Sequence, residues 1–203
     1  GLNGKGVKIG VLSDGVTNLA DAQASGDLGA VTVLPGQAGS GNEGTAMLEL
    51  IHDIAPGAQL YFATGTTSIT SFANNIRALG AAGCHVIVDD VGYFVESPFQ
   101  NGQTPSVVST TNGGAVTQAV RDVTAAGALY FSAAGDYGNL NDGTSSVWEG
   151  DFNPGAASAA PVTSAGTLHR FTGVQDYNSV TFSSFPEPAT LFWSEPLGGW
   201  GID

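Results

Sequence analysis

The sequence predicts an α/β fold: a mostly parallel sheet flanked by helices, followed by a short β-rich segment that reads as the start of a β-sandwich. Two observations predict it. Short apolar runs of β-branched or aromatic residues, at 7–12, 60–63, 84–88 and 128–131, alternate with stretches whose apolar residues recur at helical spacing. Strand, helix and strand at the spacing of βαβ units build a parallel sheet, because the crossover helix returns the chain to the same end. After Asn139 the rhythm stops, and short runs separated by polar turns take over. The 203 residues, 42% of them hydrophobic, allow one sizeable domain with a real core, or one domain plus a fragment.

Residues 4–12 read as a buried strand ending at Ser13-Asp14-Gly15. An acid just past the carboxyl end of a parallel strand stands where α/β folds place ligands and chemistry, although Asp before Gly is also a common turn. Residues 17–41 are polar, small and irregular, apart from an expected strand over 30–34. Asn42 then N-caps a helix with Glu43 in its first turn, where the helix dipole favours an anion. The spacing of Met47, Leu50, Ile51 and Ile54 predicts a core-facing stripe with Glu43 at its head, and Pro56-Gly57 stops the helix. A carboxylate at the head of an apolar stripe is satisfied by a partner or is functional; the plain alternative is an ordinary first-turn Glu.

A strand over 59–63 follows, then a second amphipathic helix over 68–82, striped by Ile69, Phe72, Ile76 and Leu79 and ended by Gly83. The next strand, 84–88, closes on Asp89-Asp90-Val91-Gly92-Tyr93, a second acidic strand end. Cys84 reads as buried filler and His85 as a structural histidine. A polar loop over 96–114 leads to a third helix over 115–126, with Val116, Val120 and Val123 on one side. The strand over 128–132 closes on Ala133-Ala134-Gly135-Asp136-Tyr137-Gly138. This organisation makes 1–152 one α/β domain and 153–161, Asn-Pro-Gly-Ala-Ala-Ser-Ala-Ala-Pro, a linker. Residues 162–203 form a β-rich segment with strands over 167–171, 179–182 and 189–193. Such a segment cannot bury a sheet face by itself, so it reads as the opening of a β-sandwich inserted into or appended to the domain.

Composition narrows the partners. Five Lys and Arg against eighteen Asp and Glu leave a net charge of −13, which makes nucleic acid and anionic membrane surfaces poor partners. Gly, Ser, Thr and Asn supply much of the polarity, as suits a secreted protein working at low pH, where a carboxylate-rich surface loses its self-repulsion. A single cysteine excludes an internal disulfide and a thiolate metal cluster. No apolar run is long enough to span a membrane, no signal peptide is present, and the start at Gly1 reads as that of a processed or trimmed chain. Nor is there a zinc-type cluster, a P-loop or a dinucleotide fingerprint.

Glu43-Gly44-Thr45 at a helix start, followed by Ile54-Ala55-Pro56-Gly57-Ala58 and the run Leu60-Tyr61-Phe62-Ala63, resembles the active-site helix of the subtilisin-like serine peptidases. In ordinary subtilisins a catalytic histidine precedes that Gly-Thr. The related sedolisins, the serine-carboxyl peptidases, have a catalytic glutamate at the head of this helix, as Glu43 is here, and an aspartate one turn later, where this chain has Met47. Residues 4–15 resemble the first subtilisin strand; an ungapped match sets Ser13 at the place of the catalytic aspartate, and a one-residue slip sets Asp14 there. Gly135-Asp136-Tyr137-Gly138 matches the sedolisin form of the oxyanion segment, where subtilisins carry Ala-Ala-Gly-Asn. An ionised carboxylate repels an oxyanion, so Asp136 can donate only when protonated, the logic of an acid-adapted acyl-transfer site.

The resemblance covers roughly residues 4–140 and implies a secreted, subtilisin-like serine endopeptidase acting on peptides or proteins. It implies Glu43 as general base, Asp14 as its orienting acid and Asp136 as oxyanion donor. It implies substrate contacts at Asp90, Val91, Gly92, Ala134 and Gly135, where Asp89-Asp90 either favour basic substrate side chains or only solvate the strand end. No cofactor is required; the family leaves room for a calcium ion. The nucleophile is missing: Gly143-Thr144-Ser145 lies too soon after Asp136 and opens no helix. The expectation is an inactive fragment completed by a serine-bearing, C-terminal part of the same polypeptide. Two other readings remain open, a non-catalytic binding or assembly protein of the subtilisin fold and an unrelated doubly wound ligand-binding domain.

Overall fold

The computed structural model describes residues 3–93, 96, 114–179 and 190–191. The chain forms two compact units, Gly1–Gly135 with Thr190–Asp203, and Asp136–Ala189. In the first, β1 (Lys8–Ser13), α1 (Leu19–Ser25), β2 (Val31–Val33), α2 (Glu43–Ile54), β3 (Gln59–Thr64), α3 (Ile69–Ala81), β4 (Val86–Asp89), α4 (Ala115–Ala125) and β5 (Leu129–Ser132) follow one another. The five strands form a parallel sheet in the order β2-β3-β1-β4-β5. The expected α/β architecture is therefore present, with β1 at the centre.

Alternation along the strands divides the core into two layers, as a sheet covered on both faces requires. Leu12, Ala63 and Ile87 pack with Phe72, Ile76 and Leu79 of α3 and with Ala119 and Val123 of α4. Val11, Leu60 and Phe62 pack on the other face with Ala22 of α1 and Leu48 of α2. Ser68 caps α3 by accepting the Ser71 amide at 3.1 Å. Cys84 is buried, and burial pushes its thiol up to about 11, as suits inert filler. His85 has a structural contact, its Nδ1 accepting the Lys8 amide at 3.0 Å.

Two local expectations differ from the structure. Residues 19–25, expected as irregular, form α1; its signal was short but legible in Asp21 of the first turn and in Gly26, left-handed at φ 88°, just past the end. The core-facing side of α2 is also rotated from the expected stripe. Gly44, Thr45 and Leu48 are buried and Met47 and Ile51 half-buried, whereas Leu50 is 65% and Ile54 82% exposed. Glu43 is exposed and does not head a buried stripe. Gly44 decides the rotation: a Cβ there would run into the Phe62 ring and stand 2.5 Å from the Gly15 carbonyl oxygen, so only glycine lets the helix sit this close to the sheet. Leu48→Ala should therefore cost about 2–5 kcal/mol of stability. Ile54→Ala should stay within about 0.5 kcal/mol, a contrast that urea unfolding of the two variants reads directly.

The second unit pairs β6 (Pro154–Ala157) with β7 (Thr167–His169) antiparallel. Trp148 packs edge-on against His169 and Phe171, and the amide of Ala156 and the guanidinium of Arg170 hold the Asp176 carboxyl below its ordinary range. Residues 154–157 of the expected linker are thus strand, and the division between units follows Gly135 rather than residue 152. The reason is Trp148, whose ring contacts tie 136–152 to the β-rich segment. The strand expected over 167–171 ends at His169; most of those over 179–182 and 189–193, and most of the loop over 96–114, lie outside the described residues.

Candidate functional site

The carboxyl ends of β1, β3, β4 and β5 gather the first unit's candidate residues at one edge of the sheet. The strand order changes direction at β1, where doubly wound sheets open a crevice beyond their carboxyl ends. Ser13 is the last residue of β1 and is fully buried. Asp14, the next residue, turns out of the sheet. Its Oδ1 accepts the Gly15 amide at 2.5 Å and the Gly44 amide at 3.2 Å, so the strand-end acid is bonded to the first turn of α2, beside Glu43.

The segment after β1 and the segment before α2 are laid against each other by backbone pairing. Ser40 donates to the Asp14 carbonyl at 3.1 Å, Val16 to Ala38 at 3.0 Å and Thr17 to Gly41 at 2.9 Å. Glycines make the approach possible: Gly39 and Gly41 have φ of 65° and 126°, and a Cβ at Gly41 would overlap the Asp14 carboxylate. Asn42 occupies the N-cap position of α2, but its side chain makes no cap; its Oδ1 accepts the Asn18 amide at 3.1 Å instead. Asp14 supplies the missing cap from thirty residues away, an anion at the positive end of the helix dipole.

Thr64, at the end of β3, completes the support, and sequence reasoning missed it. Its hydroxyl donates to the Asp14 carbonyl at 2.9 Å, while the buried Asn75 amide of α3 donates to the Thr64 carbonyl at 2.8 Å and to Gln37 Oε1 at 2.6 Å. A polar residue ending an apolar strand just before a glycine, Thr64-Gly65, was the available signal.

Across β1 from this point, Asp90 follows β4 and its amide donates to the Leu12 carbonyl at 3.2 Å. Asp90 and Gly92 are exposed and Val91 half-buried. Ala133 donates to the Asp89 carbonyl at 3.1 Å, and Ala134 and Gly135 run on from β5 exposed. In the second unit, Asp136 is exposed in a turn flanked by left-handed Gly135 and Gly138, not buried among small residues. Ser145, also in that unit, lies in a loop with its Oγ donating to the Val147 carbonyl at 2.8 Å.

The two neighbouring acids of β4 have different environments. Asp89, 3% exposed, accepts the Ser132 hydroxyl at 2.9 Å and the Val91 amide at 3.3 Å. Burial pushes its carboxyl above the ordinary value of 3.8, against the lowering by the groups that donate to it. A carboxyl that holds its proton more tightly folded than unfolded stabilises fully below 3.8, and that contribution is lost as pH rises through the raised folded value. Asp89→Asn should therefore flatten the fall in urea midpoint above pH 3.8 relative to wild type; parallel curves would show that Asp89 ionises without penalty.

A cavity of about 280 Å³ beside His52 and Pro56 lies at the amino ends of β2 and β3, away from these acids. Among the described residues no group of three or more His, Cys, Asp or Glu could hold a metal ion, and no helix is long and apolar enough to cross a membrane. The chain matches no protein-family model and no curated protein sequence.

Proposed function

We propose that the chain is the first part of a secreted, subtilisin-like serine endopeptidase of sedolisin type, acting on peptides or proteins. Glu43 is the general base in place of histidine, Asp14 the acid that positions it, and Asp136 the oxyanion donor. The observation that carries this reading is the 3.2 Å bond from the Gly44 amide to the Asp14 carboxylate, which sets a strand-end acid beside the residue at the head of α2. A serine hydroxyl attacking a peptide carbonyl must lose its proton to a base, and the oxygen of the tetrahedral intermediate must receive a hydrogen bond. Glu43 serves as base when ionised, and Asp136 donates when protonated. Asp90, Val91, Gly92, Ala134 and Gly135 line the path of the substrate backbone in this reading, and the serine comes from polypeptide beyond Asp203.

The test compares the 203-residue chain with a polypeptide extended along its own gene. The short chain should neither hydrolyse peptides nor react with a fluorophosphonate. The extended one should do both, with a bell-shaped pH dependence that rises as Glu43 ionises and falls as Asp136 ionises. Asp136→Asn donates at every pH and should remove or shift the alkaline limb alone. An unchanged alkaline limb sinks Asp136 as donor, labelling at Ser145 relocates the nucleophile, and an inert extended chain favours a binding or assembly role.

A further inference from the structure

Beneath the β4–β5 edge, on the side covered by α3 and α4, is an open cavity of about 320 Å³. Its walls are apolar, supplied by Phe72, Val91, Val116 and Val120, and its polar groups are Asp89, Glu96, Tyr130 and Ser132. One Glu96 oxygen accepts the Val116 and Thr117 amides at 2.8 and 3.2 Å, capping α4. Its other oxygen, Oε2, is sealed from solvent with no hydrogen-bond partner, whereas the Tyr130 hydroxyl is directed at Asp89. Burial and the neighbouring Asp89 charge hold that hydroxyl protonated. Buried polar atoms left unpartnered are rare, and each is a site where a donor or acceptor is wanting.

Basic groups are scarce in this chain. Its only Lys and Arg are Lys5, Lys8, Arg77, Arg121 and Arg170. Arg77 is bonded to Asp122, Arg170 to Asp176 and Lys8 to the Ala82 carbonyl, and no basic group contributes to the electrostatics of Asp89. Two carboxyl groups lining an apolar-walled cavity, one with no basic group in its electrostatics and the other with an unpartnered buried oxygen, suit a ligand that brings N–H donors and an apolar stem.

We propose that this cavity binds a guanidinium or primary ammonium group carried on a short alkyl chain. The stem packs between Val116, Val120 and Phe72, and the head donates to Asp89 and to Glu96 Oε2. The shared chemistry belongs equally to an arginine or lysine side chain of a peptide and to a free alkylamine. The inference stands on the cavity and does not require the chain to be a peptidase.

The test is a titration of the methyl-labelled 203-residue chain, followed by NMR at the Val91, Val116 and Val120 methyls. The probes are n-butylguanidinium and its neutral isostere n-butylurea. Saturable shifts with n-butylguanidinium, about tenfold or more weaker with n-butylurea, support the proposal, since a charge-assisted bond is the difference between them. Equal binding of the two, or no saturable shift with either, overturns it. Acetyl-Ala-Arg-Ala-amide, set against its citrulline counterpart, separates the sources: arginine-selective binding at the same methyls assigns a peptide side chain, and binding of n-butylguanidinium alone assigns a free amine. Asp89→Asn should weaken n-butylguanidinium by about tenfold or more and leave n-butylurea unchanged. The comparison of the two probes on wild type decides the question even where that variant fails to fold.

Discussion

Glu43→Gln in the polypeptide extended past Asp203 is expected to lower kcat by about 10²–10⁴-fold, the range for loss of a general base. Glutamine has the shape of glutamate but cannot take the proton from a serine hydroxyl. The side chain is exposed at the first position of α2, away from the Leu48 and Phe62 layer, so the substitution should cost stability only on the scale of a charge at a helix N-terminus, about 0.3–1 kcal/mol. The kinetic split is the diagnostic. A base acts only in the transition state, so kcat and kcat/KM should fall together while KM holds. A raised KM at unchanged kcat would make Glu43 a substrate contact, and unchanged kinetics would remove the base from the head of α2 altogether.

Asp14→Ala is expected to be among the most destabilising single changes on this edge of the sheet. It strips the acceptor from two amides, Gly15 and Gly44, both of buried residues. Leaving a buried donor unsatisfied costs about 1–3 kcal/mol, so the pair should cost about 2–6 kcal/mol before relaxation. The Gly15–Gly39 bridge and the Ser40-to-Asp14 bond hold the backbone around the carboxylate. Asp14→Asn keeps an acceptor oxygen for both amides and loses only the charge at the helix N-terminus, about 0.3–1 kcal/mol. Urea midpoints in the order wild type, Asn, Ala would establish the cap. If Ala and Asn destabilise equally, the charge rather than the hydrogen bonds is what matters. If neither destabilises, α2 does not depend on Asp14. Because this measurement needs no catalysis, it examines the junction of β1 and α2 independently of any peptidase activity.

Much of the first unit was legible in the sequence. Every expected strand and helix from residue 4 to 132 is present within a few residues, because each carries its own pattern: alternating or continuous apolar runs for strands, 3.6-residue spacing for helices, glycine at the ends. The short α1 escaped because seven residues give less than two full periods. The stripe of α2 was misassigned because two overlapping apolar sets, one through Leu50 and Ile54 and one through Leu48, have compatible spacing. Periodicity cannot choose between them; the close contact of Gly44 with Phe62 does.

Strand ends are local, so the sequence by itself determined that acids would stand at the carboxyl ends of β1 and β4 and at the head of α2. Only the tertiary structure decided what each acid touches. Asp14 rather than Ser13 reaches α2, because Ser13 still belongs to the pleat and points into the core, whereas Asp14 is the first residue free to turn. Asn42, the residue with cap chemistry in sequence, is turned to Asn18, and its task falls to a carboxylate thirty positions earlier. Of the adjacent pair Asp89-Asp90, the first is buried against Tyr130 and Ser132 and the second exposed, a consequence of strand alternation at a place where the chain leaves the sheet. These outcomes depend on segments distant in the chain, brought together by left-handed glycines and backbone pairing that no local window of sequence contains.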